Sequence, residues 1–217
     1  MRKAMVWTAL LTILTVKSAV AQTMFGAEAY GSSNQVALGS WASELVQEGR
    51  NAGALTNDPS RTPAGGGGVR LRGEGWMASL DYERLPVALD MEAGRHKVMG
   101  DFAADVIEAN VGLMLGRAKG FAVGFGGGVS LYNMSGGIQQ TYDGDLIMNR
   151  TIEGAAVGGQ FMGMVECNLG GQFSLLGAFG QRSAKLEQPT SEGVILPVDI
   201  DYSGSFVRVG IATYFSR

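Results

Sequence analysis

The sequence predicts an all-β chain: an eight-stranded, antiparallel, up-and-down transmembrane β-barrel. Three observations carry that reading. Eight segments alternate apolar and polar residues with a period of two. The connections between them are alternately short and long. The ionic side chains of the segments gather on one of the two stripes that the alternation creates. Composition agrees, since 34 of 217 residues are glycine, well above the ordinary ~7 %. Runs such as "AGGGGV" and "GFGGGV" lack collagen's three-residue period, and within strands glycine marks bends and crowded interiors.

The N-terminus is read apart from the barrel. Arg2 and Lys3 precede an apolar run from Ala4 to Val16, and Ala19-Val20-Ala21 precede Gln22. That is the order of charged, apolar and small residues in a secretory leader. The run is shorter than the roughly 20 residues of a spanning helix, and Lys17 interrupts it. Cleavage is expected after Ala21, giving a signal peptide, 1–21, and a barrel domain, 22–217. Arg2, Lys3 and Lys17 leave with the leader, so the mature chain is more acidic than the whole, whose net charge is −3. An acidic chain argues against a nucleic-acid partner. The single cysteine, Cys167, excludes an internal disulfide.

The strands follow in order. The first, 24–31, sets Phe25, Ala27 and Ala29 against Glu28 and Tyr30. The second, 64–72, alternates Val69 and Leu71 with Arg70 and Arg72. The third, 76–84, places Trp76, Ala78, Leu80 and Tyr82 opposite Met77, Ser79, Asp81 and Glu83. In the fourth, 103–116, Ile107 to Leu115 on odd positions oppose Glu108, Asn110, Gly112 and Met114. The fifth, 121–133, has Phe121, Val123, Phe125, Val129 and Leu131 against Ala122, Ser130 and three glycines. The sixth, 151–167, has Val157, Phe161 and Val165 against Gln160, Met162, Met164 and Glu166. The seventh, 172–185, has Phe173, Leu175 and Phe179 against Ser174, Gly180 and Arg182. The eighth, 202–215, has Val207, Val209, Ile211, Thr213 and Phe215 against Arg208, Gly210, Ala212 and Tyr214.

Three connections are short and glycine-containing: "GEG", "RAKG" and "NLGG". The other four are long: 32–63, 85–102, 134–150 and 186–201. Strict alternation puts all short turns on one side and all long loops on the other, the layout of an outer-membrane barrel with periplasmic turns and external loops. The expected location is therefore the outer membrane of a diderm bacterium. In lipid the apolar stripe faces out and the polar stripe lines the lumen. The lumen stripe then carries Glu28, Asp81, Glu83, Glu108 and Glu166 with Arg70, Arg72, Arg182 and Arg208. Because opposed charges nearly cancel, and eight strands leave a bore that side chains can fill, the expectation is a plug of Arg/acid pairs. Trp76, Phe121, Phe173 and Phe215 sit on the apolar stripe beside the short-turn side, the place of an aromatic girdle.

From about 24 to 215 the chain resembles the small eight-stranded outer-membrane barrels, of the OmpA transmembrane-domain and OmpX type. The most specific element is "VRVGIATYF": in that family an alternating last strand ending in an aromatic is read by the barrel-insertion machinery. The resemblance implies that role for Val207, Val209, Ile211, Thr213 and Phe215. Ser216-Arg217 departs from the pattern, and no peptidoglycan-binding domain follows, unlike full-length OmpA-type proteins. The partners it implies are outer-membrane lipid, lipopolysaccharide and the insertion machinery, around a monomer.

Candidate chemistry is sparse. The class includes enzymes that edit lipid A, and His96 could join a serine and an acid such as Glu92 or Asp101. No nucleophile motif accompanies it, and Arg95 and Lys97 beside it suit a surface histidine, so no catalytic residue is expected. "GFGGGV" lies within a strand and "AGGGGV" lacks a P-loop lysine. Asp143/Asp145 and Asp199/Asp201 match no complete calcium loop, so neither metal nor cofactor is expected. In "SWASELVQEGRN", Ser40 can cap a short helix carrying Glu44, with Trp41, Leu45 and Val46 as a partly apolar face. That helix could lie on the membrane, fold over the barrel mouth or bind a partner. The expected function is structural or surface-interacting through the external loops. A small gated porin-like channel is the alternative, and a lipid A-modifying enzyme the third reading.

Overall fold

A strand surrounded by hydrocarbon can satisfy its backbone only through neighbouring strands, which forces a closed ring. The computed structural model describes residues 23–37, 43, 46–47, 50–51, 53–57, 60–117, 119–186, 189–191, 194–195 and 200–215. The leader, Ser40, Trp41, Glu44, Leu45, Asp199, Ser216 and Arg217 lie outside the described residues. Eight long strands form the ring: β1 (Met24–Gln35), β2 (Arg61–Gly73), β3 (Trp76–Ala93), β4 (His96–Gly116), β5 (Phe121–Tyr142), β6 (Asp145–Gly170), β7 (Phe173–Ser183) and β8 (Gly204–Phe215). Each pairs antiparallel with the next. β8 then pairs with β1 from Phe25↔Phe215 to Asn34↔Phe206, closing the barrel.

Lengths differ from the sequence reading in one instructive way. β6 has 26 residues, far more than the roughly 9–11 that a tilted strand needs to cross hydrocarbon. The connections 85–102 and 134–150 are long, but they are paired strand rather than irregular loop. β3 and β4 run on in unbroken register to Ala93↔His96, turning at Gly94 with φ 61°. β5 and β6 run to Tyr142↔Asp145 and turn at Asp143 and Gly144, with φ of 52° and 92°. Those positive angles at both central residues are the type I′ hairpin that an Asp-Gly pair favours. The first and fourth long connections contain the short strands Leu55–Asn57, Lys185–Leu186, Thr190–Ser191, Val194–Ile195 and Ile200–Asp201.

Polarity inverts along these long strands. The cross-strand row Arg84↔Asp105↔Asn133↔Ala155 marks the change. Toward the short turns, the outward residues are Leu80, Tyr82, Ile107, Val111, Leu131 and Val157, all exposed. Beyond the row the outward positions include Asp101, Ser135 and Thr151, also exposed, while the interior becomes an ordinary apolar core. That core contains Leu85, Val87 and Leu89 of β3, Phe102, Ala104 and Val106 of β4, Tyr132 and Met134 of β5, and Ile152 of β6. Val46 of the first connection is buried in the same cluster, so the connection meets the core at that residue. Among the described residues, 43, 46, 47, 50 and 51 are helical there.

The inversion locates the outer boundary of the hydrocarbon. Val111 sits midway along the outward apolar run of β4, whereas Ser135 lies past the boundary row. Val111→Arg is expected to cost about 2–4 kcal/mol and Ser135→Arg about 0–1 kcal/mol, measured by denaturant unfolding in phospholipid vesicles. Equal costs at the two sites would remove the boundary from that row.

Candidate functional site

At membrane depth the inward stripe brings charged residues from seven strands into one bore. Small residues make this possible, because large inward side chains face glycines across the sheet. Tyr30 lies between Gly66 and Gly210 in register, Asp81 opposite Gly68, Asn110 opposite Gly128 and Phe206 opposite Gly180. A Cβ on Gly66 would lie 2.7 Å from the Tyr30 hydroxyl, and one on Gly180 2.9 Å from the Phe206 ring. Glycine is abundant here because the bore has no room for two side chains at one level.

Four of the buried ion pairs join opposite walls. Arg208 of β8 sets its guanidinium on Glu108 of β4, with Nη1 donating to Oε2 at 2.7 Å and Nη2 to Oε1 at 2.8 Å. Its Nη2 also donates to Glu83 of β3 at 2.6 Å. Arg182 of β7 reaches the same Glu83 oxygen at 3.1 Å. Arg72 of β2 donates through Nε to Glu166 of β6 at 3.1 Å, and Arg70 reaches Glu166 at 3.5 Å and Glu28 at 3.0 Å. Pairs β2 to β6, β3 to β7 and β4 to β8 are each half a ring apart, so the bridges run across the whole diameter. All of these side chains are buried. Arg208 is also stacked between the rings of Tyr30 and Phe206, at 4.8 and 4.7 Å, which holds its planar group crosswise.

Neutral groups complete the network, and these were not singled out in the sequence. Ser32 donates to Glu83, and Arg182 donates to Asn34 at 2.8 Å. Gln160 donates to Glu108 at 2.9 Å, and Tyr214 donates to Glu166 at 2.6 Å. Their signal was parity: each occupies an inward position of a strand that carries a buried charge. Asp81 is brought into the bore but makes no guanidinium pair among the described residues; its Oδ2 accepts from Ser79 at 2.6 Å and Asn110 at 3.2 Å.

The remaining candidates lie elsewhere. Trp76, Phe121, Phe173 and Phe215 stand at the short-turn end; the last three are more than half exposed, and Phe215 packs on Phe25 with ring centroids 6.0 Å apart. Val207, Val209 and Ile211 are exposed outward, and Thr213 is half-buried. His96 opens β4 at the tip of a hairpin, its ring 4.6 Å from that of Tyr142. Asp101 is five residues further along the strand, about 17 Å at strand spacing. Asp143 sits in the neighbouring turn, paired with Arg95 at 3.1 Å. Among the described residues, no three His, Cys, Asp or Glu side chains converge as a metal site.

No protein-family model matches the chain, and no curated protein matches it. Among solved structures it is similar to neisserial surface protein A, at 12 % identity and a TM-score of 0.53 over 88 % of this chain and 97 % of that one. It is also similar to the outer membrane protein OprG from Pseudomonas aeruginosa, at 10 % identity and a TM-score of 0.47 over 90 % and 97 %. A major outer membrane protein from Thermus thermophilus matches at 12 % identity and a TM-score of 0.49 over 88 % and 99 %. The likeness to the neisserial protein shows the fold, that of an outer-membrane β-barrel.

Glu83 is the acceptor that two arginines share, so its removal leaves Arg182 without a carboxylate and takes one of the two that hold Arg208. Glu83→Ala is expected to destabilise the folded barrel by about 3–5 kcal/mol, read as a lowered urea midpoint of the heat-modifiable band. A loss as small as that of a surface ion pair, Arg95→Ala, would show that the bore does not depend on it.

Proposed function

We propose that the protein is an outer-membrane barrel with a closed lumen, acting structurally or through surface interactions of its external segments. The observation that carries this reading is the set of ion pairs between opposite walls, capped by the apolar core above them. A water path along the axis would have to pass the Arg208–Glu108 fork and then Leu85, Val106 and Tyr132, which are 0 to 2 % exposed. The external segments supply what the bore does not. The β3–β4 and β5–β6 hairpins rise well past the boundary row with polar outer faces, a stable platform for contacts outside the membrane. His96, packed on Tyr142 at a hairpin tip, is read as a surface residue rather than a catalytic one.

The rest of the reading follows from the sequence. Residues 1–21 act as a cleaved signal peptide, the last strand ending at Phe215 is recognised by the insertion machinery, and the outward aromatics near the short turns form a girdle at the lipid interface. The mature protein sits as a monomer among outer-membrane lipid and lipopolysaccharide.

Two measurements test these points. Purified barrel in planar bilayers is expected to show no stable conductance, and reproducible ion-sized openings would replace the closed-lumen reading with a gated channel. The intact mass of protein extracted from outer membranes is expected to begin at Gln22; a mass that includes 1–21 would end the signal-peptide reading.

A further inference from the structure

The charges of the bore do not balance. Among the described residues, the buried ionisable groups are Glu28, Asp81, Glu83, Glu108 and Glu166 against Arg70, Arg72, Arg182 and Arg208. The arginines are distributed over the four glutamates, which leaves Asp81 over. A buried, uncompensated carboxylate is costly enough that some positive charge must join it.

The geometry shows where. A cavity of about 40 Å³ lies beside Asp81, bordered by Glu28 and Tyr30 of β1 and by Ser79 of β3; about 10–15 Å³ of such space holds one water. Asp81 Oδ1 is buried without a hydrogen-bond partner, and so is the hydroxyl of Tyr30, another residue bordering the cavity. Asp81 is only 4 % exposed. Glu28 and Asp81 flank Gly68 in register on either side, and Glu28 Oε2 accepts from Arg70 at 3.0 Å. Gly68 and Gly66 leave space for the two unpartnered oxygens, since a Cβ on either would collide with them. The neighbouring strands limit the charge that fits. Asn110 of β4 is there as a neutral group, and Arg70 of β2 and Arg208 of β8 border the same cavity, which opposes a divalent ion. Neighbouring Met162 and Met164 of β6 and Ala178 of β7 add no charge.

We propose that this cavity is a binding site for one small monovalent cation, a proton or sodium, held by Glu28 and Asp81 with the Tyr30 hydroxyl oxygen. Sodium is a hard cation that takes oxygen partners, and two carboxylates sharing one buried site favour holding a proton; either brings the bore to neutrality. The site lies within the closed lumen proposed above. Its test reads stability, so it stands or falls separately from the conductance that tests closure.

The experiment uses the full mature barrel in detergent, with thermal midpoints measured as sodium chloride replaces choline chloride at constant ionic strength, repeated from acidic to alkaline pH. If sodium is the occupant, the midpoint rises by about 3–6 °C per tenfold sodium above its dissociation constant, Asp81→Asn abolishes the rise, and Tyr30→Phe moves it to higher sodium. If a proton is the occupant, sodium has no effect, and acidification raises the wild-type midpoint relative to Asp81→Asn, with Tyr30→Phe behaving as wild type. A difference between wild type and Asp81→Asn that is constant in both sodium and pH overturns the proposal. So does failure of Asp81→Asn to fold while Tyr30→Phe folds, because removing a surplus charge must not be destructive.

Discussion

A polypeptide in hydrocarbon has no water with which to complete its backbone hydrogen bonds, and that constraint organises the whole molecule. It requires β8 to return to β1, and it requires every strand at membrane depth to have partners on both sides. Once the ring is closed, side chains have two destinations, lipid or bore. The period-2 geometry sends neighbours alternately to each. Val209 and Arg208 are adjacent in sequence, yet one meets acyl chains and the other meets Glu83 and Glu108.

The bore has its own constraint, which is width. Eight strands bring opposite walls close enough for one arginine and one glutamate to span the gap, as Arg70 and Glu166 or Arg182 and Glu83 do. The distance then selects the residue types. Arginine reaches far, keeps its charge and offers a planar fork; glycine across the sheet leaves room for the reaching chain. The same residues that give the composition its unusual glycine content therefore make a cross-braced interior possible. A soluble barrel of this size would fill its centre with aliphatic side chains, and above the boundary row this one does.

Much of this was legible in sequence. Eight strands, their order, the outward stripe and the nine charged residues of the inner stripe are all period-2 facts that need no tertiary information. Strand length was not legible, for a physical reason. Leu80 and Tyr82 are apolar on even positions and face out, whereas Leu85, Val87 and Leu89 are apolar on odd positions and face in. Such a change of phase looks like the end of a strand, yet the register passes through it without a bulge. β5 does the same between Leu131 and Tyr132. The Asp143-Gly144 turn was the available clue, since that dipeptide closes tight hairpins and has no special place in a long loop. Diametric pairing was also beyond the sequence, because it depends on how the strands close around the bore. The surplus of one acid could be counted in the sequence, but which acid lacks an arginine could not.

The inverted phase also explains why the charges stop where they do. Outside the membrane the outward face must be polar to meet water, so the inward face is free to become a dry core, as around Val106 and Met134. Within the membrane the outward face must be apolar. An inward face that was apolar as well would make each strand hydrophobic on both sides, the pattern of a segment that self-associates before it can be placed. Charges on the inner stripe break that pattern in every strand but β5, and Ser130 and the glycines serve there. They can be tolerated at this depth only if paired, and the narrow bore supplies the pairing. The ion network is thus the inward counterpart of the lipid-facing stripe, and both end near the row from Arg84 to Ala155 because the external solvent changes there.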